Sequence, residues 1–160
     1  MAVYFTSLNS GSNGNCYYIG NEAEAILVDV GISCRVIERR MHQLGLSLQK
    51  VKAVFITHEH SDHICGLRTL AKKHKLPVYI TPLTLGGTSI GLHAEQVIAF
   101  STTAKITIGR LEITAFGKQH DACDPCSLVV SCDGFTVGVF TDIGYPCDEF
   151  IRHFKLCHAA

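Results

Sequence analysis

The sequence predicts an α/β (α+β) fold, with helices covering the faces of β-sheet. Three observations lead there. Short apolar or alternating runs recur along the chain, amphipathic helical stretches separate them, and 47% of the 160 residues are hydrophobic against 18% charged. One domain is the natural reading of this length. Such a chain can bury roughly 70% of the surface its unfolded form exposes.

Val3 to Leu8 reads as a strand, and residues 10–15 (Ser-Gly-Ser-Asn-Gly-Asn) as a turn-rich loop. Cys16 to Ile19 and Ala25 to Val28 read as a hairpin across Gly20-Asn21. Asp29 ends the second of these strands. From Ser33, a plausible N-cap, a helix should run to about Leu44. Its apolar residues recur at Val36, Ile37, Met41 and Leu44, with Gly45 as C-cap. Val51 to Ile56 is a short strand of the buried kind. Ile64 to about Lys73 reads as a helix and Pro77 to Ile80 as a strand. The Gly- and Thr-rich run from Thr81 to Gly91 has no clear assignment. Val97 to Phe100, Lys105 to Ile108 and Leu111 to Phe116 read as strands. Ser127 to Ser131 and Phe135 to Phe140 form a hairpin across Asp133-Gly134, a strong turn signal. A last helix occupies about Asp148 to Leu156.

Charge is balanced, with 14 Lys+Arg against 14 Asp+Glu. There is no whole-chain electrostatic footprint for nucleic acid or an anionic membrane, though a local patch remains open. No run of about 18 apolar residues occurs, so no transmembrane segment is expected. The N-terminus lacks the basic start and apolar stretch of a signal peptide, so the protein is read as cytoplasmic. The eight cysteines are scattered in a way that fits reduced, mostly buried thiols rather than a disulfide framework. Arg35, Arg39 and Arg40 with Lys50 and Lys52, and Lys72, Lys73 and Lys75, read as solvated helix exteriors. His42, His74 and His93 are assigned no role.

The chemistry concentrates in Thr57-His58-Glu59-His60-Ser61-Asp62-His63, directly after an apolar strand. Imidazole nitrogen and carboxylate oxygen are the ligand types that suit zinc and similar divalent metals. With 9 His and 7 Asp in the chain, random placement would give H-x-H-x-D-H on the order of once in a thousand such chains. His58 and His60, at i and i+2, share a face on extended backbone and can reach one ion. Asp62 and His63 lie a turn further on and could hold a second. His120 and Asp142 follow other apolar strands, where loops place functional groups on a rigid scaffold. Asp29 is either a partner to a ligating His or a turn residue. The Ser10 to Asn15 loop is either a phosphate cradle or a structural turn. Cys123 and Cys126 form a C-x-x-C pair, read as two incidental thiols with a metal role left open.

This pattern resembles the metallo-β-lactamase-fold hydrolase superfamily. The run Thr6 to Cys16, His120-Asp121-Ala122 with Asp124-Pro125, and Thr141-Asp142-Ile143-Gly144 narrow the resemblance to its WalJ-type bacterial branch. The resemblance implies an αββα sandwich and a nuclease-like hydrolase. It implies that His58, His60 and His120 hold a first metal, that Asp62 and His63 hold a second, and that Asp142 bridges them. Zinc is expected, with manganese or iron as alternatives, and hydroxide shared between the metals would attack phosphorus or carbonyl carbon. Asp62 and Asp142 are the expected catalytic carboxylates, and Asp121, beside His120, is either a partner to a ligating residue or a substrate-side group.

The family pattern also carries a later His on a C-terminal segment. Neither His153 nor His158 sits in the context expected of it. The sequence therefore reads as a C-terminally truncated single domain, residues 1–160, with the second half of the sandwich incomplete and the second metal site weakened. Exposed apolar surface and an open sheet edge would favour self-association, including a homodimer. Nucleic-acid ends are the expected substrate. A thioester or lactone hydrolase, or an inactive metal-binding fragment, are the alternatives.

Overall fold

The computed structural model describes residues 2–160. Two sheets lie face to face. The larger has six strands in the order β1-β2-β3-β4-β5-β6: β1 (Tyr4–Asn9), β2 (Cys16–Gly20), β3 (Ala25–Val28), β4 (Val51–Phe55), β5 (Val78–Ile80) and β6 (Val97–Ala99). Its first three strands are antiparallel, and β3 through β6 run parallel. The smaller sheet is antiparallel, in the order β10-β9-β8-β7: β7 (Lys105–Ile108), β8 (Leu111–Gly117), β9 (Cys126–Cys132) and β10 (Phe135–Val139).

Parallel strands need crossovers, and these supply the helices. α1 (Cys34–Gln43) joins β3 to β4; α2 (Ser61–Ile64) and α3 (Leu67–His74) join β4 to β5. Ser33 caps α1 through its side chain, and the helix turns Cys34, Ile37 and Met41 inward. α3 buries Leu67, Leu70 and Ala71 on the same sheet face. Each fully buried leucine contributes about 1.5–3 kcal/mol relative to exposure. The opposite face of the large sheet packs Ile19, Ile26, Val28 and Phe55 against Ile113, Leu128 and Val130 of the small one. β3, buried at all four positions, serves both cores. α5 (Asp148–Phe154) lies over the small sheet. There Phe140, Phe150 and Phe154 stack together and His153 lies flat on Phe116. The layers are therefore helix, sheet, sheet, helix.

Several local expectations need correction. The predicted helix from Ile64 to Lys73 is broken at Cys65-Gly66, because the Gly66 N–H donates to Val30 O at 2.9 Å. A Cβ at Gly66 would lie 2.0 Å from Ile32 O, so only glycine permits this approach. The first hairpin turns through Asn21–Glu24, where Asn21 Oδ1 accepts from the Ala23 and Glu24 N–H groups. The unassigned run contains α4 (Pro82–Gly86), capped by Thr81 with Pro82 in its first turn. The edge of β10 is partly occupied: Gly138 N–H donates to Ala159 O and His158 N–H to Thr136 O. Exposed apolar side chains nevertheless remain at Phe135, Ile151, Phe154 and Leu156.

Candidate metal centre

The carboxyl ends of β3, β4 and β10, with the loop between β8 and β9, converge on one side of the molecule. Ligands characteristically bind outside the carboxyl ends of strands in such sheets. Four imidazoles meet there. The His58 ring centroid lies 4.7, 4.0 and 4.7 Å from those of His60, His63 and His120 respectively. Potential ligand atoms of His58, His60 and His120 lie within 4.8 Å of one another, as do those of His58, His63 and Asp142. Asp62 stands at the rim, its Oδ2 3.5 Å from His63 Nε2. Asp121 is exposed beside His120.

Backbone stitching fixes this arrangement. Val30 N–H donates to His63 O, Asn15 N–H to Asp62 O, and Gly31 N–H to Asn15 O. A Cβ at Gly31 would fall 1.6 Å from Asp62 O, so the two loops can meet only at a glycine. Glu59 Oε1 accepts from the Cys123 N–H at 2.8 Å, tying the first histidine loop to that of His120. Gly144 N–H donates to Gln119 O, which ties the Asp142 loop to it as well. Asp29 and Asp142 both have left-handed backbone, with φ of 60° and 50°. Such strain in non-glycine residues clusters at functional sites.

Asp29 organises one flank. Fully buried, it accepts from Thr57 N–H and Thr57 Oγ1–H, each at 2.8 Å, and from His63 Nδ1 at 2.7 Å. Because the Thr57 hydroxyl proton is committed to Asp29, Thr57 Oγ1 must accept from His58 Nδ1 at 2.9 Å. That fixes the His58 tautomer and leaves a lone pair on Nε2. This atom is buried and has no hydrogen-bond partner among the described residues. Burial, with the neighbouring His63 and Lys118 charges, pushes the His58 imidazole down to about 2, so it stays neutral. Burial and Lys118 also hold His120 below its ordinary value.

His63 behaves in the opposite way. Burial pushes it down, but Asp29, Asp142 and Asp62 outweigh burial and hold it above its usual value. Its Nε2 lies 2.8 Å from Asp142 Oδ2.

A match to the metallo-β-lactamase superfamily spans residues 10–92. The chain belongs to the metallo-β-lactamase superfamily. It is 37% identical over 152 residues to exodeoxyribonuclease YycJ of Bacillus anthracis, covering 93% of this chain and 58% of that protein. It is 31% identical to exodeoxyribonuclease WalJ of Streptococcus pneumoniae, covering 91% of this chain and 56% of the relative. The chain thus spans a little over half the length of these relatives. Among solved structures, the metallo-β-lactamase-fold protein YhfI of Bacillus subtilis aligns with a TM-score of 0.72 and 22% identity, over 90% of this chain and 60% of that one. The MIM-2 metallo-β-lactamase aligns at 0.70 and 18%, over 96% and 66%. At that identity these two speak to the metallo-β-lactamase fold alone.

The residues present fit the metal that this superfamily implies. A neutral, oriented imidazole with an unshared buried nitrogen is a prepared ligand. His60 Nδ1 and His120 Nε2, 3.3 Å apart, complete a set of three nitrogens with it. On the other flank, an ion would replace the proton shared by His63 Nε2 and Asp142.

Asn15, Thr57 and Lys118 also serve the site; apart from the turn-rich loop around Asn15, nothing in their sequence context marks them as functional. Asn15 Nδ2 reaches His63 Nε2 at 3.2 Å and Asp62 Oδ2 at 3.4 Å. Lys118, buried and held below its usual value by desolvation, donates to Thr141 O at 2.6 Å and so anchors the approach to Asp142. His153 and His158 are engaged elsewhere, on Phe116 and on the Thr136 N–H. Cys123 is exposed and Cys126 buried, and both are free thiols.

Proposed function

We propose that the chain carries the centre of a metal-dependent phosphodiesterase that cuts nucleic acid, with zinc as its metal. The observation that carries this reading is the convergence of four imidazoles and Asp142 around the unpartnered Nε2 of His58. The choice of nucleic acid rests on the exodeoxyribonucleases to which the chain is similar. His58, His60 and His120 would hold one ion. His63 and Asp62 would hold a second, with Asp142 between the two.

A bound divalent metal supplies Lewis acidity toward a phosphoryl oxygen and acidifies water at neutral pH. The chain's own groups do the rest. Asp29 and Thr57 fix the orientation of His63 and His58. Asp62, partly exposed at the rim, orients the attacking water. Lys118 and the Thr141 carbonyl hold the Asp142 loop in register, and the buried ammonium offsets the Asp29 and Asp142 carboxylates.

Eight free thiols among the described residues favour a reducing compartment, the cytoplasm. Among the described residues no helix is long and apolar enough to cross a membrane. Self-association through the exposed apolar side chains around α5 is the corresponding expectation for oligomeric state, to be read by light scattering.

The test is hydrolysis by the purified, zinc-loaded chain of end-labelled single-stranded DNA, of bis(p-nitrophenyl) phosphate and of a thioester. Chelator-sensitive cleavage of the first two is expected. Turnover of the thioester alone would move the assignment to thioester or lactone chemistry. Full metal loading without any turnover would make the chain a metal-binding fragment.

A further inference from the structure

We propose that Cys34, Glu38 and His74 form a separate site for one thiophilic divalent cation, of which zinc is the natural occupant. It lies between α1 and α3 and shares no residue with the imidazole cluster. The candidate ligand atoms of the three residues lie within 4.8 Å of one another. Cys34 and Glu38 stand one turn apart on one face of α1. His74, in the last turn of α3, closes the set from the opposite helix.

Three groups converge on one carboxylate oxygen. Glu38 Oε1 accepts from Cys34 Sγ at 3.5 Å and His74 Nε2 at 2.8 Å, and Lys73 Nζ lies 2.6 Å from it. Without a metal this is a proton-filled version of a thiolate–carboxylate–imidazole site. Burial, together with the hydrogen bond to Glu38 and its charge, raises the Cys34 thiol to about 11, so it is protonated at neutral pH. The Lys73 and His74 hydrogen bonds hold the Glu38 carboxyl down to about 2, so it is fully ionised. An ion entering here takes the place of the Cys34 thiol proton, which leaves to solvent, and of the His74 Nε2 proton, which passes to Nδ1 by tautomer exchange with solvent; it then bonds to Sγ, carboxylate oxygen and Nε2. The Lys73 side chain is 58% exposed and can swing away.

The donor set argues for the ion. One sulfur, one nitrogen and one carboxylate oxygen match zinc, which accepts three protein ligands with a fourth position open. Access exists as well. Glu38 and His74 line a cleft of about 610 Å³ together with Met41, His42, Leu46 and Leu76. Binding would staple the start of α1 to the end of α3.

Titration with Co²⁺ tests this separately from the imidazole cluster. Among the described residues the metal-ligand groups of that cluster contain no cysteine, so a thiolate-to-cobalt charge-transfer band reports on Cys34. The band's amplitude should correspond to one thiolate-bound cobalt per chain and persist in H60A. It should vanish in C34S, and H74A should need at least about tenfold more cobalt. No band in the wild type, or a band that survives in C34S, overturns the proposal. The second readout is thermal melting. The His63 flank is intact in both H60A and H60A/H74A, so zinc should raise the melting temperature of H60A by more than that of H60A/H74A; equal rises in both overturn the proposal even if C34S folds poorly.

Discussion

On one flank of the imidazole cluster, His63 has a partner at each ring nitrogen: Asp29 on Nδ1 and Asp142 on Nε2, with the Asn15 amide 3.2 Å from Nε2. On the other, the His60 and His120 rings hydrogen-bond only with each other among the described residues. His58 stands between, its Nδ1 fixed by Thr57 and its Nε2 without a partner. The first flank is rich in carboxylates and holds a proton. The second is built from imidazoles alone, with one hydrogen bond between His60 Nδ1 and His120 Nε2. An ion on the His63 flank must displace a proton held by carboxylates, whereas one on the His60–His120 flank meets the free His58 Nε2 lone pair and need only shift a proton from one imidazole nitrogen to another. The two flanks should therefore differ in their response to acid and to mutation.

The largest effect should come from removing a ligand. H60A and D142A should each lower hydrolysis by on the order of a thousandfold, about 4 kcal/mol of barrier. Steady-state rates on single-stranded DNA check this, and retained activity in either variant would reject the assignment.

D29N should be selective. It leaves His60 and His120 untouched but removes the charge that orients His63. Metal affinity on the His63 flank should fall about 10–100-fold, the usual cost of losing such a partner, while the first equivalent, which Asp29 reaches only through Thr57 and His58, should weaken less. Competitive chelator titration of both equivalents would show whether the flanks are as separate as the geometry indicates.

N15A should cost less, about 1–3 kcal/mol of stability for the lost amide contacts and the polar atoms left behind. Chemical denaturation reads it directly.

The smallest effect is the pH dependence of the chelator-treated protein. His58 titrates lower when folded than its ordinary 6.5, so the unfolded chain takes up a proton that the folded one refuses. Stability should fall as pH drops below 6.5. His63 is raised when folded, so its contribution is complete below the unfolded value and is lost as pH rises through the folded one. H58Q should flatten the acid limb of melting temperature against pH, and H63Q the alkaline limb.

Much of this was legible in the sequence because it is local. The histidine motif is compressed into seven positions after a buried strand, and β3 and β4 read as apolar runs because both faces are covered. His120 and Asp142 could be found from their strand-end positions. The supporting groups could not. Thr57 and Lys118 are ordinary polar residues until β3, β8 and the Asp142 loop are brought together. The break at Gly66 depends on Val30 and Ile32, more than thirty residues away. His74 pairs with Glu38 across 36 positions, a separation that no periodicity reveals.

The most direct test of the central claim is a zinc-edge anomalous difference map from crystals grown with zinc. A peak within about 2.0–2.3 Å of His58 Nε2 and of nitrogens of His60 and His120 is the expected result. Zinc-replete crystals with no peak at that cluster would contradict it.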